Sequence, residues 1–328
     1  MKILDNQDLL DAEIQSTDLC NFLNDVKTGL SQKPKELQSK YFYDKQGDEL
    51  FQQITTLPEY YLTRCEMDIF SNKTNDIADA IGSEPFDLIE LGAGDGTKSI
   101  HLLDHLMRNA FEFSYLPIDI SGNILSVLED GIKRKLPEID MSCLEGDYIE
   151  MLSIAVKKST RRKVVLLLGG NIGNMEVKAA EEFCKLLYKH LHTGDKLIIG
   201  FDLKKHPQVI LNAYNDSQGV TSAFNLNLLS RINIELDANF YLNAFEHYQC
   251  YDPKTGECRS HLVSLKKQSV LLDGEHFEFE KDECIFMEVS RKFSLKETEE
   301  LALKAGFSAG QHILDPKGWF SDSVWLVS

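Results

Sequence analysis

The sequence lacks several features that mark common classes of protein. No apolar run approaches the roughly 18 residues that a membrane-spanning helix requires. The seven cysteines are scattered and include no C-x-x-C pair, which argues against a disulfide framework and against a zinc site. The N-terminal stretch is too acidic and too interrupted for a secretory signal. We therefore expect a cytoplasmic protein without a bound metal.

Positive charge is also scarce. The chain has 35 lysines and arginines against 52 acidic residues, which gives a formal net charge of -17 over 328 residues. Such a surface repels phosphate backbones, and the one compact basic stretch, KKSTRRK at 157–163, is typical of a solvated turn before a strand. We expect a monomer that acts on a small molecule, with no nucleic-acid or membrane partner.

The middle of the chain alternates between strand and helix patterns. Between residues 86 and 202, amphipathic stretches separate five short apolar runs, which are FDLIEL, FSYLPIDI, MSCLEGDY, KVVLLLGG and DKLIIGFDL. Parallel strands covered by helices on both faces have this pattern. The sequence therefore predicts an α/β fold with a doubly wound, Rossmann-like sheet.

The alternation stops after residue 202 and resumes near residue 286, which predicts three segments. Residues 1–202 would hold an N-terminal helical segment and the sheet domain. Residues 203–285 would form an inserted, smaller α/β domain for substrate recognition. Residues 286–328 would return to the sheet with a helix and two strands, the last of them antiparallel.

A glycine-rich loop, ELGAGDGTKS, follows the first of the apolar runs. The Walker A pattern does not fit, because Thr97 separates the last glycine from the lysine. The dinucleotide-binding pattern does not fit either, because Thr97 stands where its third glycine should be. The pattern E/D-x-G-x-G-x-G of S-adenosylmethionine loops fits at Glu90, Gly92, Gly94 and Gly96. A purely structural turn is the alternative.

Acidic residues follow the next two strands of the predicted sheet. Asp119 ends one strand, where its carboxylate can accept both hydroxyls of a ribose. Asp147 follows the other and could bind the adenine amino group, while Tyr148 could pack on the adenine ring. Because the carboxyl ends of parallel strands meet along one edge, which is where open α/β sheets bind ligands, we expect S-adenosylmethionine there.

The turn GGNIGNM after the fourth strand supplies candidates for binding a second substrate. Asn171 and Asn174 could simply cap a helix. An amide at this edge also faces the methyl group to be transferred, and it both donates and accepts hydrogen bonds. It therefore suits a substrate that has a carboxylate and an amine.

Several stretches occur in order between about residues 30 and 328, and they are YFYDKQGDELFQQITTLPEYYLTRCE, ELGAGDGTKS, PIDIS, GGNIGNM, AYNDSQGVTSAFNLNLL, FEH and MEVSRKF. Taken together, they resemble the histidine-specific Nα-methyltransferases that make hercynine on the way to ergothioneine. The resemblance implies transfer of methyl groups from S-adenosylmethionine to the α-amine of histidine, up to three times.

The resemblance also implies roles for individual residues. The cofactor-binding residues would be Tyr43, Gly92, Lys98, Asp119, Asp147 and Tyr148. Residues for the acceptor's carboxylate and amine would be Tyr60, Asn174, Tyr214 and Thr221. Glu288 and Ser290 would hold the imidazole, since a carboxylate and a hydroxyl match its two ring nitrogens. Tyr43 and Asn174 would lie nearest the reacting groups, with Tyr43, or a water that it holds, accepting the proton of the amine.

Two positions depart from the family pattern. Ser260 stands where the family has Met, and Gly170-Asn171 stands in place of Ser-Thr. A smaller residue at 260 would enlarge the ring end of the pocket, so another aromatic amino acid such as tryptophan is the alternative acceptor, although Glu288 favours imidazole. More distant alternatives are an RNA or protein methyltransferase, against which the acidic surface argues, and a ligand-binding protein without activity.

Overall fold

The computed structural model describes the backbone of residues 6–328 and the side chains of residues 18–328. The chain forms two compact units and passes between them more than once. The first unit comprises the described residues up to Tyr60, His206–Asp252 and Glu257–Val289. The second comprises Tyr61–Lys205, Pro253–Gly256 and Ser290–Ser328.

The helices and strands are numbered here in chain order. The α-helices of residues 6–328 are α1 (Asn6–Ser31), α2 (Lys45–Thr56), α3 (Leu62–Asn72), α4 (Thr74–Ile81), α5 (Ser99–Arg108), α6 (Gly122–Lys135), α7 (Tyr148–Ala155), α8 (Val177–His190), α9 (Pro207–Tyr214), α10 (Val220–Leu236) and α11 (Leu295–Ala305). Over the same residues the strands are β1 (Lys35–Glu36), β2 (Phe86–Leu91), β3 (Phe113–Asp119), β4 (Leu144–Glu145), β5 (Arg162–Leu167), β6 (Lys196–Asp202), β7 (Phe245–Tyr251), β8 (Glu257–Ser264), β9 (Gln268–Leu272), β10 (Glu275–Phe279), β11 (Cys284–Arg291), β12 (Ser308–Leu314) and β13 (Phe320–Leu326). None of the described helices combines the length and the apolar character needed to cross a membrane.

The second unit is built on a seven-stranded sheet in the order β12-β13-β6-β5-β2-β3-β4. The pairs β3–β2, β2–β5 and β5–β6 are parallel, whereas β13 is antiparallel to both β6 and β12. Every residue of β2 is buried, as expected for a parallel strand that is covered on both faces. The predicted doubly wound, Rossmann-like sheet with an antiparallel last strand is confirmed.

One apolar cluster fixes the helices of this unit on the sheet. Side chains of β2, β5 and β6 pack against α8 and α11, and Trp325 of β13 is fully buried among them. Burial of this kind stabilises the sheet by roughly 25 cal/mol per Å² of apolar surface. It also holds the carboxyl ends of the central strands in fixed positions, and the predicted cofactor residues follow these ends.

The first unit contains a four-stranded sheet in the order β1-β11-β8-β7 and the hairpin β9–β10. Helix α10 packs against α2 and against β7. The apolar cluster of this unit includes Phe42, Phe224, Leu262 and Met287. It therefore joins the N-terminal part of the chain to the segment that follows residue 206.

The observed architecture differs from the sequence interpretation in the bounds of the insertion, in the N-terminal segment and in one strand. Residues 203–205 and 253–256 lie in the second unit, and residues 286–289, which were predicted to return to the large sheet, lie in the first. The sequence interpretation grouped the N-terminal helical segment with the large sheet, but the residues up to Tyr60 lie in the first unit, because β1 pairs with β11 and α2 packs against α10. The strand predicted from MSCLEGDY is reduced to the two residues of β4, which pair with β3, and to an isolated bridge between Met141 and Tyr115.

Candidate active site

The glycine-rich loop leaves β2 and leads into α5. Gly92 has a φ of +69°, and a Cβ added there would lie 2.4 Å from the Tyr148 hydroxyl oxygen, so only glycine fits. The backbone amide of Gly92 donates to the Ile118 carbonyl oxygen at 2.9 Å, which ties the loop to the end of β3. A Cβ on Gly94 would meet nothing within 4 Å, so space is open beside the loop.

Glu90, the first residue of the loop pattern, points into the protein. Its carboxylate accepts hydrogen bonds from the hydroxyls of Ser99 at 2.6 Å and Tyr115 at 2.7 Å. Burial raises the pKa of Glu90. The residue thus joins β2 to β3 and to the start of α5, and it shapes the loop from inside the fold.

Asp119 lies at the end of β3 and serves two backbone amides. One carboxylate oxygen accepts from the Gly94 N–H at 3.2 Å, and the other accepts from the Ser121 N–H at 3.1 Å. The carboxylate is half-buried and stands directly beside the glycine-rich loop. Its predicted role toward ribose hydroxyls is therefore combined with a structural role in the loop.

Asp147 and Tyr148 begin α7, two residues after β4. Asp147 is the N-cap, since its Oδ1 accepts from the amides of Ile149 at 2.9 Å and Glu150 at 3.2 Å. Burial, with the charges of Asp119 and Asp147, raises the pKa of Tyr148 to about 12, so its hydroxyl is a neutral donor at physiological pH. The hydroxyl lies over Gly92, as the close approach described above requires.

Lys98 lies at the N-cap position of α5, and its ammonium forms an ion pair with Glu66 of α3. Burial alone would lower the pKa of Lys98, but the Glu66 carboxylate raises it above its usual value, so the ammonium stays charged. An ammonium has three donors, so this pair leaves room for a ligand carboxylate on the same nitrogen.

A short 3-10 turn, Asn171–Asn174, follows β5. A Cβ on Gly173 would lie 2.6 Å from the Arg291 carbonyl oxygen, so the turn is seated closely on β11. The Asn171 amide nitrogen is 3.8 Å from the Cβ position of Gly92, which places this turn beside the glycine-rich loop. Asn174 is exposed at the end of the turn.

Ser290 belongs to a buried polar network around Asp202 at the end of β6. The ammonium of Lys292, which is fully buried, donates to the Ser290 hydroxyl at 2.7 Å and lies 2.8 Å from Asp202 Oδ2. The Tyr61 hydroxyl also donates to Asp202, at 2.8 Å, and Lys205 forms an ion pair with the same carboxylate. Ser290 is therefore held in one orientation by a charged partner.

Two candidates for the acceptor's carboxylate are neighbours in the first unit. The rings of Tyr60 and Tyr214 lie 6.2 Å apart in an edge-to-face arrangement. Thr221 is buried on the first turn of α10, and its backbone amide donates to Asp216 at 2.8 Å. Burial alone would raise the pKa of Asp216, but the backbone amides at the start of α10 hold it below its usual value.

Tyr43 and Glu288 also belong to the first unit. Tyr43 is 46% exposed and packs edge-to-face on Phe51 and Phe224, with ring centroids 5.6 and 5.8 Å away. Glu288 is half-buried on β11. The tyrosine ring is thus packed against apolar neighbours on a residue that is partly exposed.

Ser260 takes part in a hydrogen-bond chain along β7 and β8. Its hydroxyl donates to Gln249 Oε1 at 2.9 Å and lies 2.7 Å from His247 Nε2. Burial lowers the pKa of His247 to about 4, so the ring is neutral and its Nε2–H donates to the serine. Replacing the family's Met by Ser260 therefore adds a polar group that has partners, as well as reducing volume.

The structure brings Gly92, Asp119, Asp147 and Tyr148 together at the carboxyl ends of three adjacent strands. Sequence reasoning missed the buried charged groups behind this edge, above all Glu66 and Asp202. Both lie close to quoted motifs, Glu66 in LPEYYLTRCE and Asp202 at the end of DKLIIGFDL. A charge at the end of an apolar run is a signal for Asp202, whereas Glu66 lies in a stretch that already contains other charges.

Comparisons with known proteins agree with this geometry. A family model described as histidine-specific methyltransferase, SAM-dependent, matches residues 22–327. The histidine N-alpha-methyltransferase of Mycolicibacterium smegmatis is 35% identical over 302 residues, which cover 92% of this chain and 93% of that protein. The enzyme of the same name from Mycobacterium tuberculosis is 34% identical over 82% of this chain and 83% of its own.

A third relative is longer. Ergothioneine biosynthesis protein 1 of Schizosaccharomyces pombe is 28% identical over 84% of this chain, and the match covers 37% of that protein. The match of the family model over nearly the whole chain decides the assignment. The chain belongs to the histidine-specific, S-adenosylmethionine-dependent methyltransferase family.

Proposed function

We propose that this protein transfers methyl groups from S-adenosylmethionine to the α-amine of L-histidine and of its mono- and dimethylated forms. The product would be Nα,Nα,Nα-trimethylhistidine, or hercynine, which leads to ergothioneine. The observation that carries the proposal is the match of the histidine-specific family model over residues 22–327. The mycobacterial relatives, which are named for the same activity, support it.

The residues at the edge of the large sheet fit the cofactor. The loop offers open space at Gly94 and a close backbone approach at Gly92. The Asp119 carboxylate suits vicinal ribose hydroxyls, the exposed Asp147 suits the adenine amino group, and the Lys98 ammonium suits the carboxylate of the amino-acid tail. When bound, S-adenosylmethionine supplies a methyl group on a sulfonium, which an amine can displace directly.

The protein's part in this reaction is to align the amine and to remove its proton. We assign Asn174, Tyr60 and Tyr214 to the carboxylate and amine of histidine, and Thr221 to the binding of the same substrate. Alignment of two reactants in this way contributes most of the rate acceleration when no covalent step is needed. The amine must be neutral to attack, and Tyr43, or a water bound to it, is the proposed proton acceptor.

Glu288 and Ser290 are the proposed contacts of the imidazole ring. A carboxylate accepts from a ring N–H, and a hydroxyl can serve either ring nitrogen. The charged bond from Lys292 occupies a lone pair of Ser290, which favours donation of its proton to the ring. Together these contacts would select a neutral imidazole with one N–H.

The test is direct assay of the purified protein with S-adenosylmethionine and L-histidine, with product identified by mass spectrometry and by the methyl signals in NMR. We expect methyl groups on the α-nitrogen, and none on Nα-acetylhistidine, whose amine is blocked. Methylation of the acetylated compound would place the reaction on the ring and contradict the proposal.

A further inference from the structure

Glu66 is a buried carboxylate that connects two loops of the large sheet. Its side chain on α3 is 1% exposed. Oε1 accepts a hydrogen bond from the Gly169 amide at 2.7 Å, and Oε2 forms the ion pair with Lys98. Gly169 begins the turn that ends at Asn174, and Lys98 follows the glycine-rich loop. One carboxylate thus contacts both segments.

The sheet has space for this carboxylate at one place on β6. A Cβ on Gly200 would lie 2.5 Å from Glu66 Oε1, so a side chain at this position would push the carboxylate out of its present place. The glycine leaves the space that the carboxylate occupies. The position of the carboxylate is therefore built into the packing.

The charges around Glu66 leave it as the main partner of Lys98. Asp322 of β13 is paired in register with Gly200, and neither of its carboxylate oxygens has a hydrogen-bond partner among residues 6–328. Burial and the nearby Glu66 raise the pKa of Asp322 well above its usual value, which disfavours its charged form. Glu90, the other acid near Lys98, is bound to Ser99 and Tyr115.

We propose that Glu66 is a positioning residue for methyl transfer, which fixes the Lys98 ammonium for the cofactor and the 169–174 turn for the amino acid. The inference rests on the proposed function for the roles of Lys98 and Asn174. Glu66, the last residue of the LPEYYLTRCE stretch, would not touch either ligand itself. It would act through the two loops that do.

Two substitutions separate the contacts. Glu66→Gln keeps the shape of the side chain and an oxygen that can accept from the Gly169 amide. It removes the negative charge that faces Lys98. We expect the dissociation constant of S-adenosylhomocysteine, measured by calorimetry, to rise about 10-fold, with the KM for histidine changed less than about 2-fold. Glu66→Ala removes both contacts, and we expect the KM for histidine to rise about 10-fold as well.

Controls distinguish positioning from packing. Glu66→Asp keeps the charge in a shorter side chain, so it should retain more cofactor affinity than Glu66→Gln, whereas a packing role predicts the reverse. The double variant Glu66→Gln/Lys98→Met should bind S-adenosylhomocysteine as Lys98→Met does, because Glu66 acts through Lys98. Asp68→Asn, an exposed change on the same helix, should match the wild type.

The proposal is overturned if Glu66→Gln lowers only the melting temperature, with affinity for S-adenosylhomocysteine within about 2-fold of the wild type. It is also overturned if the loss of affinity for S-adenosylhomocysteine in the double variant equals the sum of the losses in Glu66→Gln and Lys98→Met. Calorimetry with S-adenosylhomocysteine needs no amino-acid substrate, so this result is independent of whether histidine is the acceptor. Failure of histidine methylation by the wild type would instead contradict the proposed function.

Discussion

Asp119 holds the glycine-rich loop, and we propose that it also binds the ribose of the cofactor. Its two oxygens accept from the amides of Gly94 and Ser121. Carboxylate oxygens have further lone pairs, so the ribose hydroxyls can bind without displacing these amides. The sequence predicted a cofactor contact at Asp119 from its position at the end of a strand, because the end of an apolar run indicates where a strand ends.

Substitution of Asp119 tests this contact. Since a charge-assisted hydrogen bond is worth roughly 1.5–3 kcal/mol, Asp119→Ala should weaken binding of S-adenosylhomocysteine about 10-fold or more. Calorimetry gives the affinity, and Asp95→Ala, an exposed change in the same loop, is the control. An unchanged affinity would remove Asp119 from the ribose site.

Asn174 and Tyr214 should affect the amino acid and leave the cofactor alone. We expect Asn174→Ala and Tyr214→Phe each to raise the KM for histidine about 10-fold, because each loses a hydrogen bond to the acceptor. Calorimetry with S-adenosylhomocysteine should give nearly wild-type affinity. Asn212→Ala, an exposed change on α9, is the control. Equal losses for both ligands would show that these residues support the fold instead.

Glu288 should determine which amino acid is methylated. An apolar side chain would forgo the charge-assisted hydrogen bond to this carboxylate, a loss of roughly 1.5–3 kcal/mol, or about 10- to 100-fold in discrimination. We expect Glu288→Ala to lose much of the activity on histidine and to gain relative activity on tryptophan. Competition between the two amino acids measures this. If the variant keeps its preference for histidine, Glu288 does not recognise the imidazole ring.

Several residues of the site could not be predicted from the sequence without the family resemblance. Ser290 and Lys292 lie in one short stretch, but their link to Asp202 depends on packing of distant segments. Glu66 likewise meets Gly169 across 103 positions of sequence. Periodicity shows which face of an element is buried, but it does not identify the partner of a buried charge.

At the scale of elements, α11 begins with a capping box that also anchors neighbouring segments. The Ser294 hydroxyl accepts from the Glu297 amide at 3.3 Å, and the Ser294 amide donates to Glu297 Oε2 at 2.7 Å. Glu297 Oε1 also lies 2.9 Å from Lys204 and 3.1 Å from Arg291. Sequence periodicity predicted this helix, whereas the two ion pairs could be identified only from the structure.

Glu297 should make the stability of the protein depend on pH. Burial alone would raise its pKa, but the Ser294 amide and Lys204 lower it to about 2, against an ordinary value of 4.5. Because the folded protein holds the carboxylate charged, its stabilisation is present above about pH 4.5 and is lost as the pH falls toward 2.

The measurement is the melting temperature of Glu297→Gln and of the wild type between pH 7 and pH 3. We expect the variant to melt at a lower temperature at pH 7, with a difference that narrows below about pH 4.5. Glu300→Gln, an exposed change on the same helix, should show no such trend. A difference that stays constant with pH would contradict the role of the charged carboxylate.

The first unit shows the limit of reading elements from sequence. Strand β1 has two residues, so it has no alternating pattern, yet its pairing with Ile285 and Phe286 ties the N-terminal segment to the insertion. The central strands of the large sheet were predicted because they are long, apolar and separated by amphipathic helices. Short strands formed by long-range pairing carry no such signal.

At the scale of the whole molecule, composition excluded more than it identified. The net charge of -17 and the scattered cysteines argued against nucleic-acid binding and zinc sites, but they are compatible with many enzymes. The alternation of strands and helices gave the fold, and the glycine-rich loop with its acidic neighbours indicated the cofactor. Histidine as the acceptor came from the family's motifs, since a fold alone does not determine a substrate.

The central claim is that the α-amine of histidine receives the methyl groups. The most direct measurement is mass spectrometry of the wild-type protein incubated with methyl-labelled S-adenosylmethionine and an equimolar mixture of the common amino acids. The account predicts label in histidine first, as mono-, di- and trimethylated species that converge on the trimethylated form. Preferential labelling of tryptophan or of any other amino acid, with histidine left unmodified, would contradict it.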